Sequence, residues 1–517
     1  MFKPYIMNQP ALIPPSWDEL IPANHVVRVV NRTIEKIDLE PLLARYKGGG
    51  VSSYHPRMML KVLVYAYSQR VYSSRQIAKA LRENIHYIWI SGGSQPDFRT
   101  INRFRGEVMK AVIEEVFAAV LELLIAEGYV KLESYFLDGT KVEANANRHK
   151  VVWDKSRKKY DQRLHQKVKE ILEEVERVNA AEDETYGDED PDEPGGKGEI
   201  DAEKLEQKIG ELNERLRQKP DDKKLAKAVK TLTKDCLPRK RKYEEQERKL
   251  GGRSSYSKTD EDATFMRMKE DRGAEKPLPK PAYNLQMGTE NQFVVGFSVH
   301  QRAGDTSCLI PHLDGLKRQL GGRLPKQVVA DAGYGSEENY AYLQDHHLQN
   351  YVKYSSFHRQ QQKHRKPELI QRKRFLSENF PYDPQSDTFT CPADQPLTYR
   401  YTGHEKSDNG YPIETRHYEA LHCPDCPLKP QCTRAKGNRH IRVSFRLQEF
   451  RQQANQNLLS EQGKQLRSRR STEVETVFGD IKHNRRFRRF MLRGLHKVKT
   501  EWGLVCLAHN MQKLAAG

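Results

Sequence analysis

Two aspartates share a sequence context suited to chemistry. Asp138 closes the apolar run ESYFLD and is followed by Gly-Thr; Asp331 closes KQVVAD and is followed by Ala-Gly. A carboxylate at the end of a short buried strand is rigidly held yet open to solvent, as a metal ligand should be. Either aspartate alone would be read as a turn-capping residue. Together, in the order strand, hairpin, helix, strand, they read as a pair of ligands. Hard oxygen donors suit Mg²⁺ or Mn²⁺, and phosphodiester chemistry uses two such ions held by several carboxylates. A third acid is therefore required.

The stretch RSTEVETVFGDIKHNRRFRRF, residues 470–490, offers Glu473 and Glu475. On an α-helix of about 100° per residue, Val474, Val477, Phe478 and Ile481 form one apolar stripe. Glu475 and Lys482 align along one edge of it, with Arg486 beside them, while Glu473 aligns with Asp480 along the other. The first edge sets an acid next to cations able to hold phosphate; Glu473 is expected at the surface. The tract Arg485, Arg486, Arg488 and Arg489, with Phe487 and Phe490 interleaved, suits contact with a phosphate backbone.

Four of the seven cysteines are grouped as C-x31-C-x2-C-x5-C: Cys391, Cys423, Cys426 and Cys432. Thiolates so spaced bind zinc tetrahedrally, and a closed four-ligand site is structural. Cys236, Cys308 and Cys506 are scattered, and an odd total argues against a disulfide framework. His417, His422 and His440 are weaker substitutes as ligands.

Other elements must position these groups. The chain has 517 residues, a net charge of +18 and a pI near 9.3, the balance of a protein that meets a polyanion. Its opening, MFKPYIMNQPALIPPSWDEL, has prolines where a signal peptide needs an apolar stretch, and no apolar run is long enough to span a bilayer. A cytoplasmic, non-membrane protein is expected.

Residues 20–130 have helical periodicity: Met59, Leu60, Leu63, Val64 and Tyr67 on one helix, then Ser73 and Ser74 as caps for a second carrying Ile77, Ala78 and Leu81. This outline suits either a helix–turn–helix reader of a DNA groove or a dimerisation domain. From about 155 to 250, Leu164, Val168, Ile171, Val175 and Val178, then Leu205, Ile209, Leu212 and Leu216, mark two helical arms of coiled-coil character. The acidic loop AEDETYGDEDPDEPGGKGE joins them. AYNLQMGTENQFVVGFSVHQ predicts an antiparallel hairpin broken at Thr289–Asn291, and VKTEWGLVCLAHNMQKL a final helix packed on the core.

Three segments, YFLDGTKVEANAN, VVADAGYGSEEN and VETVFGDIKHNRRFRRFMLRG, resemble the catalytic blocks of DDE-type transposases of bacterial insertion sequences. The subgroup is the one with a Tyr/Arg/Glu/Lys signature around the last acid. The N-terminal YHPRMMLKVLVYAY, SSRQIAKAL and DFRTINRFR fit the same family. The resemblance covers most of the chain outside 155–250. It implies a ribonuclease H-like fold with Asp138 on the first strand, Asp331 after the fourth and Glu475 on a following helix. It selects Glu475 over Glu473 because Lys482 lies at the E-x6-K spacing. Arg470 matches the signature arginine, whereas LRSRRSTEVE contains no tyrosine.

The resemblance further implies two Mg²⁺ or Mn²⁺ ions on Asp138, Asp331 and Glu475. Water would first free the 3′ ends of the element, and those ends would attack target DNA. Lys482 and Arg470 would contact DNA near the cleaved phosphate, in a dimer or larger assembly on the element's terminal repeats. A ribonuclease H-like nuclease without strand transfer and a non-catalytic DNA-binding protein are the alternatives. The expected architecture is mixed, α+β or α/β. It comprises a helical N-terminal DNA-binding or dimerisation domain (1–130), a catalytic domain in three pieces (131–150, 256–375 and 446–517), a helical insertion (151–255) and a Cys-rich zinc-binding insertion (376–445).

Overall fold

The computed structural model describes residues 15–46, 53–186, 200–268, 278–361 and 373–517. They form two compact units. The first comprises Met1–Thr140, Asn284–Met491 and His496–Gly517, the second Lys141–Tyr283 and Leu492–Leu495.

The first unit is built on a mixed sheet. Its main strands are β1 (Ser134–Glu143), β2 (Lys280–Glu290), β3 (Phe293–His300), β4 (Gln327–Ala330) and β5 (Gln349–Val352), arranged in the order β3–β2–β1–β4–β5, and a sixth short strand, Thr264–Met266, pairs antiparallel with the start of β2. The strands β1, β4 and β5 run parallel, and β2 and β3 form the antiparallel hairpin expected from the sequence. Its turn is the two-residue pair Asn291–Gln292, both with positive φ (53° and 63°), as hairpins of matching twist require. Two glycines of the hairpin, Gly288 and Gly296, make room for the Tyr135 ring. A Cβ on Gly288 would lie 1.8 Å from Tyr135 Cζ. The Tyr135 hydroxyl then meets His312 Nε2 at 2.6 Å, and a buried chain continues through Ser298 to His300.

The last helix, Leu495–Ala516, is buried on every side from Thr500 to Met511, with Val498, Trp502, Leu504 and Met511 inside and the polar Thr500, Glu501, His509 and Asn510 buried among them. Asn510 on it donates to and accepts from the backbone of Val294, supplying β3 with partners a further strand would provide. The N-terminal helices form as expected. Pro56–Ser68 is buried almost throughout, whereas Ser74–Glu83 buries only Ile77 and Leu81 and exposes Arg75, Lys79 and Arg82. Ser73 occupies the cap position of the latter without a side-chain capping bond. Among the described residues no helix is long and apolar enough to cross a membrane.

A second, five-stranded antiparallel sheet holds the cysteine-rich region, with the long hairpin Pro396–Lys406 and Pro412–Ala420 at its centre. Phe389, Leu397, Tyr418 and Ile441 are its core.

The second unit differs from the two-armed hairpin expected. Helices Asp154–Tyr186 and Ala202–Gln218 are joined by Lys223–Thr231 and Leu237–Leu250 in one bundle, in which Leu164, Val168, Leu205, Ile209, Leu225, Val229 and Leu232 share a core. Cys236, one of the scattered cysteines, is fully buried there. The third helix has its own signal in the sequence, Leu225, Val229, Leu232 and Cys236 at spacings of four, three and four, and a π turn, Leu232–Cys236, leads from it into the fourth. Residues 187–199 of the expected acidic loop lie outside the described residues. A strand pair, Val151–Trp153 with Ser255–Ser257, closes the base of the bundle. Asp260 and Asp262 accept the backbone N–H groups of Gly494 and Leu495, respectively.

Candidate active site

The sheet register places the two aspartates. Leu137 of β1 is paired with Ala330 of β4, and Ala330 with Val352 of β5. The next residues on the three parallel strands are Asp138, Asp331 and Lys353, which therefore form one row. Asp138 is not at a strand tip, as the sequence suggested, because β1 continues to Glu143; it lies where β1 outruns its partner β4. Each aspartate has one oxygen fixed by a backbone amide. Gly139 N–H donates to Asp138 Oδ1 and Gly333 N–H to Asp331 Oδ1, both at 2.8 Å. The small residues after each aspartate leave these amides accessible.

The other oxygens face a guanidinium. Arg470 Nη2 lies 3.2 Å from Asp138 Oδ2 and 4.0 Å from Asp331 Oδ2, and Arg470 Nη1 donates to Glu475 Oε1 at 2.7 Å. One side chain thus touches all three acids selected from the sequence. The Arg470 and Asp138 side chains are each 10% exposed, whereas those of Asp331 and Glu475 are 40% and 49% exposed. The cluster is closed beneath and open on one side. Among the described residues no three acidic, imidazole or thiol groups stand at metal-holding spacing.

The helix bearing Glu475 departs from the regular α-helix expected. It runs α over Glu461–Arg470, π over Ser471–Glu475, α over Thr476–Gly479 and π over Asp480–Asn484. In the π segments the hydrogen bonds skip five residues, which turns side chains five apart toward each other. Arg470–Glu475 is one such pair. Asp480–Arg485 is the other, with Arg485 Nε donating to Asp480 Oδ2 at 2.6 Å.

Glu473 corrects the surface position expected of it. It is 6% exposed, accepts the Gln292 N–H at 2.8 Å and pairs with Arg469 at 2.9 Å. It secures the β2–β3 turn. Lys482 is also buried, its Nζ donating to Thr140 Oγ1 at 3.1 Å, two residues along the strand from Asp138.

The arginine tract separates into two kinds. Arg485 is buried, donating to Asp480 and to Gln512, which takes it out of the phosphate-contacting set. Burial opposes ionisation of Asp480, yet hydrogen bonds from His509 and Arg485 hold its carboxyl well below the usual range. Arg486, Arg488 and Arg489 are exposed. This tract is not helical: Arg486 has φ +55°, and the Phe487 N–H returns to the Ile481 carbonyl, a helix-ending turn that buries Phe487. Phe487 packs on Tyr72, whose hydroxyl donates to the Arg485 carbonyl at 3.0 Å.

Three residues near the cluster escaped the sequence reading. Lys353 is partly buried. Desolvation, with Arg470 and Arg467 nearby, holds its ammonium below the usual lysine range. Buried Tyr334 donates to Gln286, and burial together with Asp305, Asp138 and Asp331 pushes its hydroxyl up. Asp305, held by Asn284 and Gln286, stands against Gly139, where a Cβ would come within 2.5 Å of Asp305 Oδ1. Reading the β5 strand end as the β1 and β4 strands were read would have found Lys353.

The four grouped cysteines line one small cavity of about 20 Å³ in the second sheet, together with Arg439. Cys391 Sγ accepts the Ala393 N–H and Cys423 Sγ the Arg439 N–H, at 3.4 and 3.3 Å. His417 and His440 contact each other at 3.2 Å instead.

Comparison with known proteins places two segments. Residues 390–515 match the family model described as Transposase DDE domain, and residues 15–107 match that described as Transposase domain (DUF772). The first includes the helix of Glu475 and Lys482 and most of the cysteine-rich sheet, the second the N-terminal helices. A transposase DDE domain implies a ribonuclease H-like fold, in keeping with the mixed six-stranded sheet. No curated protein and no solved structure matches the chain.

Proposed function

Starting from a chain whose two family matches make it a DDE-type transposase of an insertion sequence, we propose that it binds the ends of its element, cleaves the DNA there and joins the freed 3′ ends to target DNA. The observation that carries this reading is the gathering of Asp138, Asp331 and Glu475 around one guanidinium. Their oxygens are hard donors, and a cation already occupies the centre they share, so the set fits Mg²⁺ or Mn²⁺. Two such ions, when bound, activate an attacking oxygen and stabilise the leaving one.

The chain's own groups supply the rest. Gly139 and Gly333 amides fix the aspartates, so that only the outward oxygens turn toward a ligand. Lys482 sets a buried positive charge beside Thr140, and Lys353 sets another in the same row as the aspartates, both suited to a scissile phosphate. Arg486, Arg488 and Arg489 supply exposed charge for the backbone of a bound duplex, and Arg75, Lys79 and Arg82 do so on the N-terminal helix. Two element ends call for a dimer or larger assembly, working in the cytoplasm on chromosomal DNA. The four cysteines would hold one structural Zn²⁺: they share a cavity, and two of their sulfurs already accept backbone amides as metal-bound thiolates do.

The decisive experiment supplies the purified chain with Mg²⁺, DNA containing the element with its flanks, and a plasmid target. Joined products are expected from the wild type and none from Asp138→Asn. Cleavage without joining would favour a nuclease, and full activity in Asp138→Asn would refute the assignment.

A further inference from the structure

Arg470 stands where the cations of the proposed reaction have to stand. Its guanidinium bridges Asp138 Oδ2, Asp331 Oδ2 and Glu475 Oε1, at 3.2, 4.0 and 2.7 Å. A Mg²⁺ ion needs carboxylate oxygens at about 2.1 Å, so a guanidinium and an ion cannot share this centre. The arginine is held in place from several sides. It is 8% exposed, its Nε has no hydrogen-bond partner, and the π turn Ser471–Glu475 aims it and Glu475 at the same point. Lys353 stands in the same row as the two aspartates, so an ion entering there adds positive charge beside two cations and favours the guanidinium's departure.

We propose that Arg470 is a resident counter-cation. It holds the three carboxylates together in the metal-free chain and must withdraw before Mg²⁺ or Mn²⁺ engages them. Metal affinity is then a competition between guanidinium and ion, and the arginine keeps the free protein poorly loaded. This rests on the reading of Asp138, Asp331 and Glu475 as the metal-holding acids. It goes beyond it by giving Arg470 a role toward the ions, as a positioning residue, besides contact with DNA.

The test is Mn²⁺ titration of the full-length chain without DNA, by calorimetry and by thermal melting. Arg470→Gln should bind Mn²⁺ at least about tenfold more tightly than wild type, because a charge-assisted bond no longer has to be broken. Arg470→Lys, which keeps the charge but loses the fork, should fall between. Metal-free Arg470→Gln should melt below wild type, because three carboxylates lose their partner, and Mn²⁺ should raise its melting temperature by more than it raises the wild type's. A purely structural arginine would give the lower melting temperature without that recovery. Unchanged or weaker Mn²⁺ binding by Arg470→Gln overturns the proposal.

Asp138→Asn separates the two layers. If it weakens Mn²⁺ binding while Arg470→Gln fails to strengthen it, only the role of Arg470 falls. If it leaves Mn²⁺ binding unchanged in both backgrounds, the metal-holding reading falls and the inference with it.

Discussion

Arg470 and Glu475 are joined at 2.7 Å across five residues of one helix. In a regular α-helix, side chains five apart diverge by about 140° and do not meet. The π turn between them makes the pair possible, and with it the link from Glu475 to Asp138 and Asp331. Single π turns in α-helices recur at functional sites for this reason: one added residue re-aims the side chains on either side.

The two glutamates should separate cleanly on mutation. Glu475→Gln removes a half-exposed carboxylate that no packing depends on. Its melting temperature should stay near wild type while cleavage in Mg²⁺ falls by about 10²–10³-fold. Glu473→Gln weakens the clamp on Gln292 and the pair with Arg469, at a cost of about 1 kcal/mol in stability, with cleavage retained below the melting range. The reverse pattern would exchange their roles.

Stability should fall on mild acidification through two neighbouring histidines, His312 buried and His300 partly buried. Burial lowers His300 to about 4 and His312 to about 3, from an ordinary value of 6.5. Both are neutral when folded, so the stability they contribute is complete above pH 6.5 and is lost as the pH falls toward 4 and below. Each should add a slope of up to about 1.4 kcal/mol per pH unit over that window. Urea unfolding midpoints at pH 7, 6 and 5 would show it, and His312→Gln should flatten the curve. An equal slope in that variant would rule out His312 as a source.

The cysteine cavity makes a prediction about composition. The purified chain should contain about one zinc per molecule, and a strong chelator should lower its melting temperature. Cys426→Ser should lose the metal. A zinc content unaffected by that change would exclude the four-cysteine site.

Much of this organisation can be read from the sequence because it is local. Asp138 and Asp331 follow short apolar runs, and the cysteine spacing brings three thiols into one loop before any folding. Lys353 was equally local and was missed only because a lysine after NYV does not announce a site as an aspartate does. The insertion's two long arms were legible from apolar residues at 3–4-residue spacing, and the same spacing at Leu225, Val229, Leu232 and Cys236 marks the further helices.

What tertiary structure alone decided is which side chains on the Arg-rich segment face what. Glu473 is buried because the β2–β3 turn, some 180 residues earlier in the chain, presents the Gln292 amide to it. Arg485 is buried because Asp480 and Gln512 pack around it, and the helix ends at Arg486 because Phe487 is drawn into the core beside Tyr72 and Trp502. Residue types and their order along the chain determine which acids and cations can reach a site. The hydrogen-bond register of a helix, and hence the direction of Glu475 and Arg470, is chosen by long-range packing, since a π turn is rare by itself and forms where the contacts it permits offset its local cost.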